Sequence, residues 1–375
     1  MKKVLIVINS AKFFISHRIP IAVEAKKQGF DVEVALPYIS EDDKIILESE
    51  NISFKEFYLD KTGLNPFKEL LSFFSLLKLL LFVKPNVIHL VTIKPVLYGG
   101  VLARILRIPT LVAISGMGFL YKKDKNKILR FISNKVYKFI FSNKNVCLIV
   151  QNINDKKILD GLKKINQNSV FLLPGSGVDL TKFYYSKPNI EEIIFLMPCR
   201  MLWDKGVKEF VEAAVKIKEK YPDVKFILSG PYEDRNPGKV PLTFLNKLNK
   251  DGIVNWIGEI DDMVGIYEKS SVVVAPSYYN EGMPKVLLEA AACGRASITT
   301  DMPGCRDAIE ENLTGLLVPQ QNVIALSKAM EKLILNSSSI ERMSHLARTK
   351  AEREFSIDKV VAKHIDLYRK LVKKD

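Results

Sequence analysis

The sequence predicts an α/β fold of two doubly wound, Rossmann-like domains facing a central cleft. Three observations predict it. Short apolar, β-branched runs recur along the 375 residues, each pair separated by room for a helix. The runs are apolar throughout rather than alternating, which marks strands buried on both faces of parallel sheets. The series thins at a polar stretch, 180–192, that carries Pro188, and then starts again. At about 100–200 residues per domain, the length also fits two.

The strands expected in the first half are 4–8, 32–36, 87–91, 110–115, 146–151 and 170–174. Helical patterns fill the gaps, notably 67–83 and 122–144. In the second half the strands are 193–198, 224–229, 254–257, 272–275 and 296–299, with helices at 207–221, 285–293 and 325–335. A last helix, 358–373, follows Phe355 and Ser356. The domains expected are therefore 1–180 and 193–356, with 357–375 a helix returning to the first. In open α/β sheets ligands lie beyond the carboxyl ends of the strands.

Charge separates the halves. The formal net charge is +14, and residues 1–190 carry all of it. Residues 61–144 hold 15 basic and 2 acidic side chains, a net of +13. Such asymmetry points to a polyanionic partner for the first half. The stretch 67–83, FKELLSFFSLLKLLLFV, is too short and charged to span a bilayer but has a wide apolar face at helical spacing. In 122–144 lysines alternate with apolar residues in the same manner. Basic amphipathic helices of this kind lie in membrane interfaces. An anionic membrane surface is the partner expected, with Lys94, Lys122, Lys123, Lys125 and Lys127 as candidate acceptor- or membrane-facing cations. Ordinary core-packing helices are the alternative. Long apolar runs and the lack of any recognisable module argue against nucleic acid.

Several chemistries have no motif. The four cysteines are never closer than twelve positions, so no thiol metal site is expected, and few, scattered thiols fit a reducing cytosol. The five-residue apolar run after Met1 is too short for a secretory leader. No G-x-G-x-x-G follows the first strand, and there is no P-loop and no H-E-x-x-H. No two aspartates have a single residue between them, so the D-x-D pair that commonly holds a metal–nucleotide complex is missing. The expectation is a metal-independent protein without a cofactor.

One constellation remains. In 277–294, SYYNEGMPKVLLEAAACG, Glu281 lies in a loop, Gly282-Met283-Pro284 open a helix, and Glu289 sits within it. A helix start attracts anions, and Gly282 lets backbone approach a ligand. Two acceptor carboxylates flanking a phosphate-friendly helix start suit a ligand with hydroxyls on both sides of a phosphate. After the first strand of the second half come Arg200 and Lys205. Arginine offers bidentate phosphate contacts and lysine a point charge.

R-x-x-x-x-K-G followed by E-x-x-x-x-x-x-x-E resembles the retaining glycosyltransferases of family GT4, which have the GT-B fold. Gly177-Val178-Asp179 with Phe183, Ser229-Gly230-Pro231 and Trp256-Ile257-Gly258 resemble further turns of that family, so the likeness covers the whole chain. The stretch 205–210, Asp234-Arg235-Asn236-Pro237 and His17-Arg18-Ile19-Pro20 resemble the bacterial subgroup, N-acetylgalactosaminyltransferases among them, that extends undecaprenyl-diphosphate-linked sugars.

The resemblance implies a hexosyltransferase that moves a sugar, such as GalNAc, from a UDP-sugar to a polyprenyl-diphosphate-linked saccharide with retention. Such an enzyme is expected in the cytoplasm, on the inner membrane face. Glu281 would contact donor hydroxyls, and Gly282, Met283 and Pro284 would line sugar and phosphate. Glu289 would hold the ribose. Arg200 and Lys205 would hold the diphosphate and stabilise its departure. One departure stands out. Many members place a histidine after the fifth strand, where this sequence has Ile114-Ser115-Gly116-Met117-Gly118. His17, in the loop after the first strand, is then the first-domain candidate for the reacting centre, and His89 the second. A GT-B enzyme acting on a soluble acceptor is the alternative.

Overall fold

A computed structural model describes residues 1–60, 65–114, 116, 127–161, 165–234, 236–279 and 281–373, with side chains except at 127–132. The chain divides into two compact units, Met1–Ser176 with Asp358–Asp375, and Gly177–Ile357.

In the first unit the order is β1 (Lys3–Val7), α1 (Ala11–His17), α2 (Ile19–Lys27), β2 (Asp31–Leu36), α3 (Glu41–Ser49), β3 (Ser53–Glu56), α4 (Pro66–Val83), β4 (Val87–Val91), α5 (Ile93–Ile105), β5 (Thr110–Ile114), α6 (Lys127–Phe141), β6 (Val146–Val150), α7 (Ile153–Asp160) and β7 (Val170–Leu172). All seven strands are parallel, ordered β3-β2-β1-β4-β5-β6-β7. The inner strands are buried on both faces, as their unbroken apolar sequences require. Edge strand β3 carries the exposed pattern of SFKE, and no apolar run announces it.

The second unit runs β8 (Ile194–Pro198), α8 (Val207–Lys218), β9 (Lys225–Ser229), α9 (Leu242–Asp251), β10 (Asn255–Trp256), α10 (Met263–Lys269), β11 (Val272–Ala275), α11 (Lys285–Ala292), β12 (Ala296–Thr300), α12 (Pro303–Ala308), β13 (Gly315–Val318), α13 (Val323–Leu335) and α14 (Ser337–Lys350). Its parallel sheet is ordered β10-β9-β8-β11-β12-β13. In its core Phe195 stacks on Phe226, and Phe210 meets Phe226 edge-on.

The last helix, α15 (Ile357–Val372), buries its apolar face in the first unit from Asp358 onward. Its Tyr368 hydroxyl lies 2.7 Å from Nδ1 of His89, and the His364 ring lies 5.4 Å from the His89 ring. Arg18, 2% exposed, completes this cluster, and burial lowers its pKa to about 10.

Candidate active site

Both sheets reverse winding direction once, and the carboxyl ends of the strands beside that point are where ligands bind. In the second unit the flanking strands are β8 and β11. The loop after β8 carries Arg200 and Lys205. The loop after β11 carries Glu281 and leads into α11. The sheet's topology thus brings together two motifs 76 residues apart, and Lys205 Nζ lies 2.7 and 2.8 Å from the two Glu281 carboxylate oxygens.

Glycines let these loops meet. At Gly206 (φ 86°) an added Cβ would come 2.3 Å from the carbonyl oxygen of Pro276, just beyond β11. At Gly304 in α12 the Cβ would lie 1.5 Å from the Gly282 carbonyl oxygen. A side chain at either position would push backbone, not a yielding side chain. The segment Glu281–Gly282 is therefore seated directly on α12, and sequence reasoning missed this contact because nothing local to Gly304 announces it.

Around the ion pair, Ser277 Oγ donates to Glu281 Oε1 at 3.3 Å, and the Tyr279 ring centroid lies 5.5 Å from Lys205 Nζ. The pair is half-buried, with Lys205 12% and Glu281 23% exposed. Arg200 is more open at 47%, and its Nη1 lies 3.2 Å from Glu233, which Asn236 also holds. The two cations expected to meet phosphate, Arg200 and Lys205, thus each rest on a carboxylate. Burial pushes the neighbouring Cys199 thiol up to about 12, so it stays neutral.

Pro284 occupies the cap of α11 instead of its first helical position, and no side chain caps that end. The helix start therefore keeps its attraction for an anion. Gly282 and Pro284 are buried, and Met283 packs partly against the core. Glu289, 6% exposed, accepts from the Tyr267 hydroxyl at 3.1 Å and pairs with Lys285 at 3.2 Å. Burial and the Glu289 carboxylate hold the Tyr267 hydroxyl protonated, so it donates. An ionised carboxylate has about four acceptor sites, so these two contacts leave room for hydroxyl donors. Among the described residues, no three His, Cys, Asp or Glu side chains gather as a metal site.

In the first unit the structure corrects several expectations. His17 is the last residue of α1, not part of a loop, and stacks on Phe13 with ring centroids 4.2 Å apart. His89 is central in β4, not at a strand end, and is fully buried. Lys94 turns inward, bonding Glu69 at 2.6 Å and the Asp60 carbonyl at 2.5 Å, which braces α5 to α4. Lys122, Lys123 and Lys125 lie outside the described residues. Lys127 opens α6, with no side chain described. At this unit's own switch point, β1 beside β4, Thr92 has φ 72°, an outlier for a β-branched residue. Strain of this kind gathers at functional sites.

Comparison with known proteins adds to the geometry. Residues 182–350 match the family Glycosyl transferases group 1, and residues 3–152 match Glycosyl transferase 4-like. A relative from Campylobacter jejuni, the N,N'-diacetylbacillosaminyl-diphospho-undecaprenol alpha-1,3-N-acetylgalactosaminyltransferase, is 30% identical over 95% of each chain. The Escherichia coli UDP-Gal:alpha-D-GlcNAc-diphosphoundecaprenol alpha-1,3-galactosyltransferase is 28% identical, covering 81% of this chain and 80% of its own. The solved structure of Anabaena HepE in complex with UDP superposes with a TM-score of 0.78 over 99% of this chain and 100% of its own, at 15% identity.

Proposed function

Because the chain belongs to the group 1 and 4-like glycosyltransferases, which have the GT-B fold, we propose that it moves an N-acetylhexosamine such as GalNAc from a UDP-sugar to an undecaprenyl-diphosphate-linked saccharide, with retention. The single observation that carries the donor site is the Lys205–Glu281 pair at the winding reversal of the second sheet. Relatives whose names specify undecaprenyl-diphosphate acceptors support the lipid-linked acceptor, and a neighbour solved with UDP supports the nucleotide.

In this reading the diphosphate displaces Glu281 from Lys205 and Glu233 from Arg200. The two cations and the uncapped start of α11 then meet its charge, so no metal is needed for that task. Freed from lysine, Glu281 accepts from donor-sugar hydroxyls, and Glu289 accepts from the ribose. The bond from the anomeric carbon to the diphosphate oxygen breaks as the acceptor hydroxyl bonds to that carbon on the same face. The hydroxyl proton leaves with the departing diphosphate. Charge develops on that oxygen in the transition state, where preorganised cations act most strongly. His17 is the proposed first-unit residue near the acceptor. The unit Met1–Ser176 with Asp358–Asp375 is the proposed acceptor-binding part, and Gly177–Ile357 the proposed nucleotide-sugar-binding part. So does a peripheral place on the cytoplasmic face of the inner membrane.

The test incubates the enzyme in EDTA with UDP- and GDP-sugars plus either lipid-linked acceptor or soluble sugars, and reads product mass. A gain of one N-acetylhexosamine from UDP donors only is expected. Transfer only to soluble sugars, only from GDP donors, or only after Mg²⁺ is restored would overturn the corresponding part.

A further inference from the structure

We propose that α4 is the membrane-docking element of this enzyme, lying in the plane of the lipid interface. The inference rests on the lipid-linked acceptor reading and deepens it by naming the surface.

The helix has two faces of different kinds. Ser72, Leu76, Leu79, Leu80 and Val83 are buried. Ser72 Oγ accepts from the Asp60 N–H at 3.0 Å and donates to the Lys68 carbonyl, which fixes the helix's rotation. The outer face should then be polar in a helix that meets only water. It is not. Phe67 is 81% exposed, Leu70 54%, Leu71 60%, Phe74 54%, Leu81 52% and Phe82 75%. These side chains lie at the two ends of a helix about 27 Å long at 1.5 Å per residue, with exposed Lys78 between them. Six large apolar side chains exposed on one helix face mark an interaction site.

The charges identify the occupant. Exposed Lys68 and Lys84 flank the apolar face near its two ends, and exposed Lys78 stands within it between Phe74 and Leu81. The helix's only carboxylate, Glu69, is turned to Lys94. Lys55 of β3 stands 5.7 Å from the Phe82 ring centroid. Large apolar side chains edged by cations of one sign match an anionic leaflet, with lysine stems reaching to headgroups. A second copy of this chain matches poorly, because a two-fold interface would set these lysines against their own equivalents. No described helix is long and apolar enough to cross a membrane, so α4 would lie flat.

The experiment compares wild type with Phe74→Glu/Phe82→Glu and with Lys68→Glu/Lys78→Glu/Lys84→Glu, in flotation with phosphatidylcholine vesicles with and without 30% phosphatidylglycerol. All changed positions are exposed, and melting curves matching wild type are expected. The first variant should lose at least tenfold of vesicle partitioning. The second should lose the salt-sensitive part, on the order of a hundredfold for three cations. Both should still transfer to a short-chain, water-soluble acceptor. A Phe74→Trp variant provides a readout independent of folding losses: its added indole emission should shift to the blue with anionic vesicles. Unchanged flotation in both glutamate variants while wild type floats, an unshifted emission from the Phe74→Trp variant, or a wild-type dimer that Phe74→Glu/Phe82→Glu dissociates would each overturn the assignment to α4. Wild type that floats with neither vesicle would instead defeat the membrane reading itself.

Discussion

Replacing Lys205 and Glu281, singly and together, separates their roles. In the ligand-free protein the pair shares two charged hydrogen bonds of 2.7 and 2.8 Å at 12% and 23% exposure. That places it between exposed pairs, worth at most about 1 kcal/mol, and buried charged bonds worth about 1.5–3 kcal/mol. A coupling of about 1–2 kcal/mol in a stability double-mutant cycle is expected. Catalysis should split differently. Lys205→Ala removes a diphosphate contact, so UDP binds more weakly and kcat falls at least about tenfold, up to the 10²–10³ range of a lost oxyanion contact. Glu281→Gln releases Lys205 from its competing carboxylate. UDP should then bind as well as to wild type or better, while kcat falls because the sugar loses its acceptor. Calorimetric titration with UDP and initial rates measure the two. Wild-type kcat in Lys205→Ala, or equal losses of UDP affinity in both variants, would refute the placement of the donor.

Two further outcomes follow from other contacts. Gly304→Ala would drive a Cβ into the Gly282 carbonyl; displacing Glu281 should cut kcat at least tenfold and cost about 1–3 kcal/mol of stability, and wild-type rates with wild-type melting would show that α12 does not seat the loop. Burial holds His89 well below the usual imidazole range and His364 at about 3. Both folded values lie under the unfolded one, so their stability contribution is full above about pH 6.5 and is lost as pH falls toward 3, at about 1.4 kcal/mol per unit for each histidine. Melting should drop between pH 7 and 5, less steeply in His364→Leu, and a profile identical in that variant would count against the cluster.

Much of this was legible in the chain because burial on two faces writes itself as apolar runs. The inner strands and the last helix follow that rule. Edge strands follow it unevenly: β7 and β10 were legible, whereas β3 is mostly exposed and β13 was missed although its GLLV is apolar. Motif position and family resemblance singled out Arg200, Lys205, Glu281 and Glu289 as candidates, but not the contacts they make. Neither Glu233 beside Arg200 nor Tyr267 beside Glu289 is near in sequence. The partner of Lys94 was hidden for the same reason, since Glu69 is 25 residues away. Close approaches such as Gly304 on Gly282 exist only once strands are ordered.

The return of α15 has a consequence for synthesis. Its Tyr368 and His364 close a core whose other members, Arg18, His89 and Phe30, precede residue 177. The second unit is encoded between them without interruption. At about 5–20 residues per second, roughly 10–40 s separate the two parts at the ribosome. The second unit has all its residues before the first does, although it is made later. Through that interval the first sheet waits with the Arg18 side of its core still wet, and an emerging chain is most open to chaperones and proteases there.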